Sequence, residues 1–263
     1  MTYEDLANDN AFHKWHKYEP LDVQYARFAE NDPSVIAAGH KICDVYHAFA
    51  NAKQSFMSAN YQNYGDLCGN DEISKLYTKT HFLLNAISEY ALCLDLSWQV
   101  VWAYIQPSSL EYLLKMEYKK MEKECDRDNL HAQLDCLIAQ NNMKAIKLKK
   151  HIEQFDNDEN VMKLRTLNNS IKHHGTIHFD GLGENFSSMM VVVKGNKIST
   201  LSRKSYKVEE IENLLFEYHV KFQEYFNTII DEIIPEEYLD NKISFGTFIE
   251  MMLEMNEVQN KEK

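Results

Sequence analysis

The residue types with the clearest chemical potential lie in one short polar stretch, Arg165-Thr-Leu-Asn-Asn-Ser-Ile-Lys-His-His-Gly175. At the helical step of about 100° per residue, its polar side chains fall on one cationic arc. The members of this arc are Arg165, Asn168, Asn169, Lys172 and His173. Guanidinium groups hold phosphate oxygens, and an imidazole can exchange a proton with a ribose hydroxyl or a leaving oxygen. The stretch therefore suits a phosphodiester.

A helix with defined ends is expected to position these side chains. Asp158 can cap the free N–H groups of the first turn, and Gly175 can take the left-handed conformation that ends a helix. Leu164, Leu167 and Ile171 form a narrow apolar arc that would face the core. The plain alternative is a solvated helix face whose histidines lie near the C-terminus, where the helix dipole favours cations.

Metal binding is the other chemistry that this stretch suggests. His173, His174 and His178 combine a helix end with a loop, but no carboxylate or cysteine lies at a supporting spacing. A phosphate-binding Gly-rich loop, a zinc-protease His-Glu-x-x-His and a nucleophile elbow are also missing from the sequence. We therefore predict no metal and no cofactor.

Composition indicates a mainly helical globular protein. The chain has 263 residues, of which 44% are hydrophobic and 26% charged, with 8 Gly and 4 Pro. No apolar run reaches membrane-spanning length, and the start of the chain has no signal-like pattern. We expect a cytoplasmic protein without membrane association. The odd, scattered set of 5 cysteines fits reduced thiols better than disulfides.

Charge is distributed unevenly along the chain. The net charge of −12 argues against broad affinity for nucleic acids. Between Met143 and Lys207, however, 12 Lys/Arg face 6 Asp/Glu, a local net charge of +6 around the polar stretch. The excess indicates either solvated helix faces or a modest anion-facing patch on an acidic body.

The remaining chain reads as a helical scaffold in one domain, 1–263. An aromatic N-terminal arm of irregular or short-helical structure covers 1–33. Helices are expected over 33–58, 70–106, 110–124, 129–139, 143–155, 158–174, 208–234 and 236–256, the last followed by a frayed tail to 263. A single β-hairpin is expected within 187–204, with Gly195-Asn196 as its turn, packed on the helices because an isolated hairpin is marginal.

One acidic residue stands out in the apolar second half of the long helix over 70–106. Asp95 would be costly to bury without a partner. It is expected to face a partner or an open cleft, or to lie on the exposed edge of the helix.

The stretch Arg165–Gly175 resembles the signature of HEPN domains (higher eukaryotes and prokaryotes nucleotide-binding). It looks most like uncharacterised bacterial HEPN-like proteins whose helix ends in Ile-Lys-His followed by a basic residue or His and then Gly. The long preceding helices, with an Asp in the apolar one, fit as well, so the resemblance spans about 71–178. It implies an all-α helical bundle, with the small hairpin added, that is usually a homodimer with facing motif helices.

The resemblance also implies a site. Active family members are metal-independent RNases whose signature is Arg, a polar residue, three residues and then His. Matching that His to His173 puts the polar residue at Asn169 and places Asn168 where the family has Arg. Arg165, one turn earlier on nearly the same face, and Lys172 are the candidates to substitute for the missing Arg.

Three functions follow as hypotheses, and the sequence leaves open whether the protein is an enzyme. The first is an RNA- or nucleotide-associated protein of toxin or phage-defence type with a divergent motif and weak or no RNase activity, and with an antitoxin-like protein as a further partner. Arg165 and Lys172 would hold phosphate, Asn169 would orient it, His173 would be the acid or base, and Asn168 and His174 would add contacts. The second is an active endoribonuclease that uses Arg165 and His173. The third is a non-catalytic structural or protein-interaction dimer module.

Overall fold

A computed structural model describes residues 1–106, 109–175, 177–183, 190–199 and 204–240, together with the single positions 246, 249 and 253. This part of the chain is mainly α-helical, as predicted. Its α-helices are α1 (Tyr3–Asn8), α2 (Asp22–Phe28), α3 (Pro33–Ser58), α4 (Glu72–Tyr104), α5 (Lys115–Glu124), α6 (Arg127–Ala139), α7 (Met143–Asp156), α8 (Glu159–His173) and α9 (Val208–Ile233). Short 3-10 segments cover Ala11–Tyr18, Gly65–Leu67, Leu110–Leu113 and Glu236–Leu239.

Four short strands occur in the described residues. These strands are β1 (His178–Phe179), β2 (Met190–Val193), β3 (Asn196–Ser199) and β4 (Ser205–Tyr206). β2 and β3 form the predicted antiparallel hairpin, whereas β1 and β4 pair in parallel, with His178 opposite Ser205. The β1–β4 pair was not predicted, because two-residue strands show no alternation; Phe179 and Tyr206 are nevertheless buried.

Several details differ from the expectations. The helix predicted over 110–124 begins as a 3-10 turn, and Leu114 is extended before α5. The buried Tyr112, whose hydroxyl donates to the Ala103 carbonyl at 3.0 Å, anchors that turn separately from α5. The N-terminal arm 1–33 is short-helical, as expected. The C-terminal helix over 236–256 lies almost entirely outside the described residues, beyond the 3-10 turn at its start.

The hairpin turn is shifted by one residue from its predicted position. Val193 pairs with Asn196, so the turn residues are Lys194 and Gly195, with φ of +50° and +81°. A type I′ turn requires positive φ at both central residues, which makes Gly195 the natural second one. The hairpin was expected to pack on the helices, yet the side chains of 190–198 are all exposed.

Contacts within the chain cluster into two compact units, each assembled from three stretches. Unit 1 comprises Met1–Asn10, Ala48–Cys93 and Glu153–Glu224, and unit 2 comprises Ala11–His47, Leu94–Ile152 and Tyr225–Lys263. The divisions fall inside α3, α4, α7 and α9, so the single domain over 1–263 stays a prediction.

The core of unit 1 is aromatic. Phe49 stacks on Phe222, with ring centroids 5.6 Å apart, and meets Tyr90 edge-on. Tyr3 packs on Phe56 at 5.1 Å and donates its hydroxyl to Glu212 at 2.6 Å, which ties α1 into the unit.

The core of unit 2 includes a cluster of Phe28, Val35, Ile36 and Tyr238. Trp15 is fully buried, packs against Phe226 and donates its indole N–H to Asn227 at 2.9 Å. Phe12, Trp15 and Phe28 of the N-terminal arm are thus buried, as the sequence predicted, whereas Tyr25 is 46% exposed.

A close approach to Gly39 in α3 gives the first prediction. A Cβ at Gly39 would lie 2.2 Å from the Tyr238 Oη and 2.7 Å from the Tyr18 carbonyl oxygen, which that hydroxyl bonds at 2.9 Å. Helix propensity alone would make Gly39→Ala stabilising by about 1 kcal/mol. We expect the opposite sign, a loss of about 1–3 kcal/mol in unfolding free energy, because the site is overpacked. Chemical denaturation of the wild-type and Gly39→Ala proteins measures this difference in unfolding free energy. The double variant Gly39→Ala/Tyr238→Phe should recover part of the loss, and a more stable Gly39→Ala protein would contradict the packing.

A buried histidine in unit 1 gives the second prediction. The His219 side chain is fully buried, with Nδ1 2.6 Å from the Tyr90 hydroxyl and Nε2 2.7 Å from Asp9 Oδ2. A neutral ring protonated at Nε2 satisfies both partners. Burial lowers the pKa of His219 to about 4, although the hydrogen bond and the charge of Asp9 act in the opposite direction.

Between pH 6.5 and pH 4 the unfolded chain therefore binds a proton at His219 that the folded chain does not. We expect this group to lower the unfolding free energy by about 3 kcal/mol as pH falls from 7 to 4. Denaturant unfolding at several pH values measures the slope. His219→Gln should flatten it, whereas His47→Gln, at an exposed histidine of α3, should not. Equal slopes in all three proteins would refute the assignment.

Candidate functional site

The helix that carries the polar stretch is α8, and both of its ends are fixed as predicted. Asp158 caps the first turn by accepting from the N–H groups of Asn160 at 2.9 Å and Val161 at 3.4 Å. Its Oδ2 also accepts from Lys221 Nζ of α9 at 2.7 Å. Burial acts to raise the pKa of Asp158, but Lys221 and the capped N–H groups hold it below the usual value. At the other end, Gly175 takes φ of +96°.

Burial of three apolar side chains sets the rotation of α8 about its axis. Val161, Leu164 and Leu167 are 0–1% exposed. Because successive residues are rotated by about 100° around a helix, the burial of these three side chains decides which of the others reach solvent. Asn169 and His173 lie on the side of α8 that is turned away from these three residues.

Four of the predicted site residues are exposed: Asn169, Lys172, His173 and His174. Asn169 and His173 are four residues apart, and Lys172 is three residues beyond Asn169, so these side chains are neighbours on the helix surface. His174 is the C-cap residue, and its ring centroid lies 6.5 Å from that of His173. The face offers amide and ammonium donors beside two imidazoles, a set that can hold and protonate an oxyanion.

Arg165 is only partly available to a ligand. Its side chain is 32% exposed, and Nη1 lies 3.9 Å from Oδ2 of Asp156, whose own side chain is fully buried. Arg165 is thus one helical turn before Asn169 and two turns before His173 on α8, but its guanidinium has a carboxylate beside it. A phosphate at this position would compete with Asp156 for the same cation. The helical period did not reveal Asp156, because the break between α7 and α8 separates it from Arg165.

Asn168 corrects the predicted arc, because its side chain faces inward. It is 4% exposed, and its Oδ1 has no hydrogen-bond partner in the described part of the molecule. Its angular position is about 40° from Leu164 and between Leu164 and Val161, a signal that the sequence already contained. In this arrangement Asn168 has no surface with which to contact RNA.

The described residues also show the position of Asp95, the acidic and histidine groups, the length of the apolar helices and the state of the cysteines. Asp95 is exposed, as the helix-edge alternative predicted. Within the described ranges, no group of three His, Cys, Asp or Glu residues is placed to hold a metal ion. Nor is any helix there long and apolar enough to cross a membrane. All five cysteines are free thiols.

Comparison of the chain with protein-family models, curated proteins and solved structures finds no match. The HEPN resemblance therefore depends on the residues of α8 and on the helices that precede it.

The cap of α8 gives a prediction about the helix that presents this site. Asp158→Ala removes the cap and the contact with Lys221, and we expect it to cost about 1–2 kcal/mol of unfolding free energy. Asp158→Ser keeps a capping oxygen, so it should recover about half of that loss. Urea denaturation of both variants measures the difference. Identical losses for Ala and Ser would mean that the cap contributes nothing.

Proposed function

We propose that this protein is a divergent HEPN-like protein that binds RNA, or the phosphates of a nucleotide, through the exposed face of α8. Asn169, Lys172, His173 and His174 supply the contacts. Lys172 holds a phosphate oxygen, Asn169 orients the phosphate, and His173 donates a hydrogen bond or a proton. The observation that carries the proposal is the exposure of Asn169, Lys172 and His173 side by side on two turns of one helix.

The surroundings of Asn168, which occupies the family's Arg position, and of Arg165 favour binding over cleavage. The family's Arg position is Asn168, which is buried, and Arg165 has Asp156 beside it. A cation with a carboxylate beside it stabilises the developing charge of a transition state less well than an unshared one. The proposal therefore assigns weak or no RNase activity to the chain. Cytoplasmic localisation, a toxin or phage-defence role and an antitoxin-like partner belong to the same proposal and rest on the resemblance.

Local charge supports binding in a protein that is acidic overall. The +6 segment from Met143 to Lys207 includes α8 and the Lys194, Lys197 and Lys204 that follow it. An acidic body with one basic segment limits contact with RNA to that segment.

The matched charge test uses two lysines of α8. Lys172 lies on the proposed face, whereas Lys163 is nine residues earlier, about 180° around the helix, and also exposed. We expect Lys172→Ala to weaken binding of a labelled single-stranded RNA about 3- to 10-fold and to reduce the salt slope by about 0.7, as for one lost phosphate contact. Fluorescence anisotropy over a range of salt concentrations measures both. Lys163→Ala should match the wild type, and equal effects of the two substitutions would argue against a binding face on α8.

The alternative, an active metal-independent endoribonuclease, is favoured by the exposed His173 one turn from Asn169. A cleavage assay on the wild-type protein and on His173→Ala distinguishes this alternative from RNA binding without cleavage. RNA cleavage in EDTA that His173→Ala abolishes would establish the active alternative and make Arg165 the next residue to replace. RNA binding without cleavage in either protein would support the proposal.

A further inference from the structure

The β2–β3 hairpin exposes five apolar side chains in unit 1. Met190, Val191, Val192 and Val193 form β2 and are 46–65% exposed, and Ile198 of β3 is 49% exposed. A run of four apolar residues without alternation is typical of a strand that is covered on both faces. In the described part of the chain both faces of β2 are exposed, so burial within those residues does not explain the run.

The register of the hairpin shows which backbone groups are free. Val193 and Asn196 flank the two-residue turn and form a hydrogen-bonded pair, and such pairs alternate along an antiparallel ladder. Val191 therefore bonds to Ile198, whereas Met190 and Val192 direct their N–H and C=O groups away from β3. No other described strand pairs with this edge.

Charge distinguishes the two edges of the hairpin. β3 carries Lys197, and the turn carries Lys194, which opposes pairing of that edge with a copy of itself. β2 carries no charge at all, so two copies of β2 can lie side by side without repulsion. Lysine on one edge and none on the other is the pattern of a sheet that is protected on one side and continued on the other.

We propose that the outer edge of β2 pairs with β2 of a second copy of this chain, antiparallel and about a two-fold axis at Val191. This register sets Met190 opposite Val192 of the other copy, twice, and uses the free backbone groups of all four residues. Val191 of the two copies then face each other as a non-hydrogen-bonded pair, with Cβ atoms about 4.5–5.5 Å apart.

The product is a four-stranded sheet with the lysine-bearing β3 strands at its outer edges. Val191, Val193 and Ile198 share one face of each hairpin, so pairing brings six apolar side chains together. A contact this small is below the size of a standard stable interface, which predicts a reversible, concentration-dependent dimer. The inference stands apart from RNA binding, because it uses no residue of α8.

The test uses the residue on the two-fold axis. Sedimentation velocity of the full chain from about 1 to 100 μM should show a monomer–dimer equilibrium. Val191→Lys places two ammonium groups opposite each other, and we expect it to weaken dimerisation at least 10-fold. Val191→Glu should do the same for two carboxylates. Ile73→Lys, at a 67% exposed position of α4, adds the same charge away from the hairpin and should leave the equilibrium unchanged.

Mixing the Val191→Lys and Val191→Glu proteins should restore association, because only opposite charges then meet at the axis. That rescue would support both the edge and the register. A wild-type chain that is monomeric at all concentrations would overturn the proposal, as would a dimer that Val191→Lys leaves intact. Circular dichroism and thermal unfolding of each variant would show that lost association does not reflect lost folding.

Discussion

The burial of Val161, Leu164 and Leu167 is the constraint on which the candidate site depends. These side chains fix the rotation of α8 about its axis. Asp158, which caps the first turn and accepts a hydrogen bond from Lys221 of α9, fixes where the helix begins. With both set, Asn169, Lys172 and His173 must face solvent and Asn168 must face the core. The site is thus a by-product of core packing on the other side of the same helix, and substitutions in that core would move it.

The position of the site at the end of α8 has an electrostatic cost. Phosphates usually bind at helix N-termini, where free N–H groups and the positive end of the dipole meet them. The proposed face lies at the C-terminal end, where the dipole disfavours an anion and favours protonated histidine. Affinity for phosphate must therefore come from the side chains of Lys172, His173 and His174. It should be modest compared with that of a site built from backbone amides.

Sequence patterns predicted the long helices well, because residues that favour helix starts or helix ends lie at their boundaries. Pro33 begins α3, Pro235 follows α9, and Asp158 and Gly175 bound α8. Prediction failed where the deciding interaction is tertiary. The β1–β4 pair joins two strands that are about 27 residues apart in sequence, so no local pattern reveals it. The exposure of the hairpin contradicted the expectation that it packs on the helices. In the site, the contact of Arg165 with Asp156 crosses a helix break, beyond the reach of periodicity, whereas the inward position of Asn168 was readable from its angle to Leu164.

The hydrogen bond between His219 and Asp9 spans 210 residues of sequence. On the ribosome, at about 5–20 residues per second, Asp9 emerges some 10–40 seconds before its partner. During that interval α1 and the aromatic residues of Ala48–Cys93 lack the α9 surface that buries them in the finished protein. Unit 1 therefore completes its core late in synthesis, and the nascent chain exposes apolar surface until α9 has emerged.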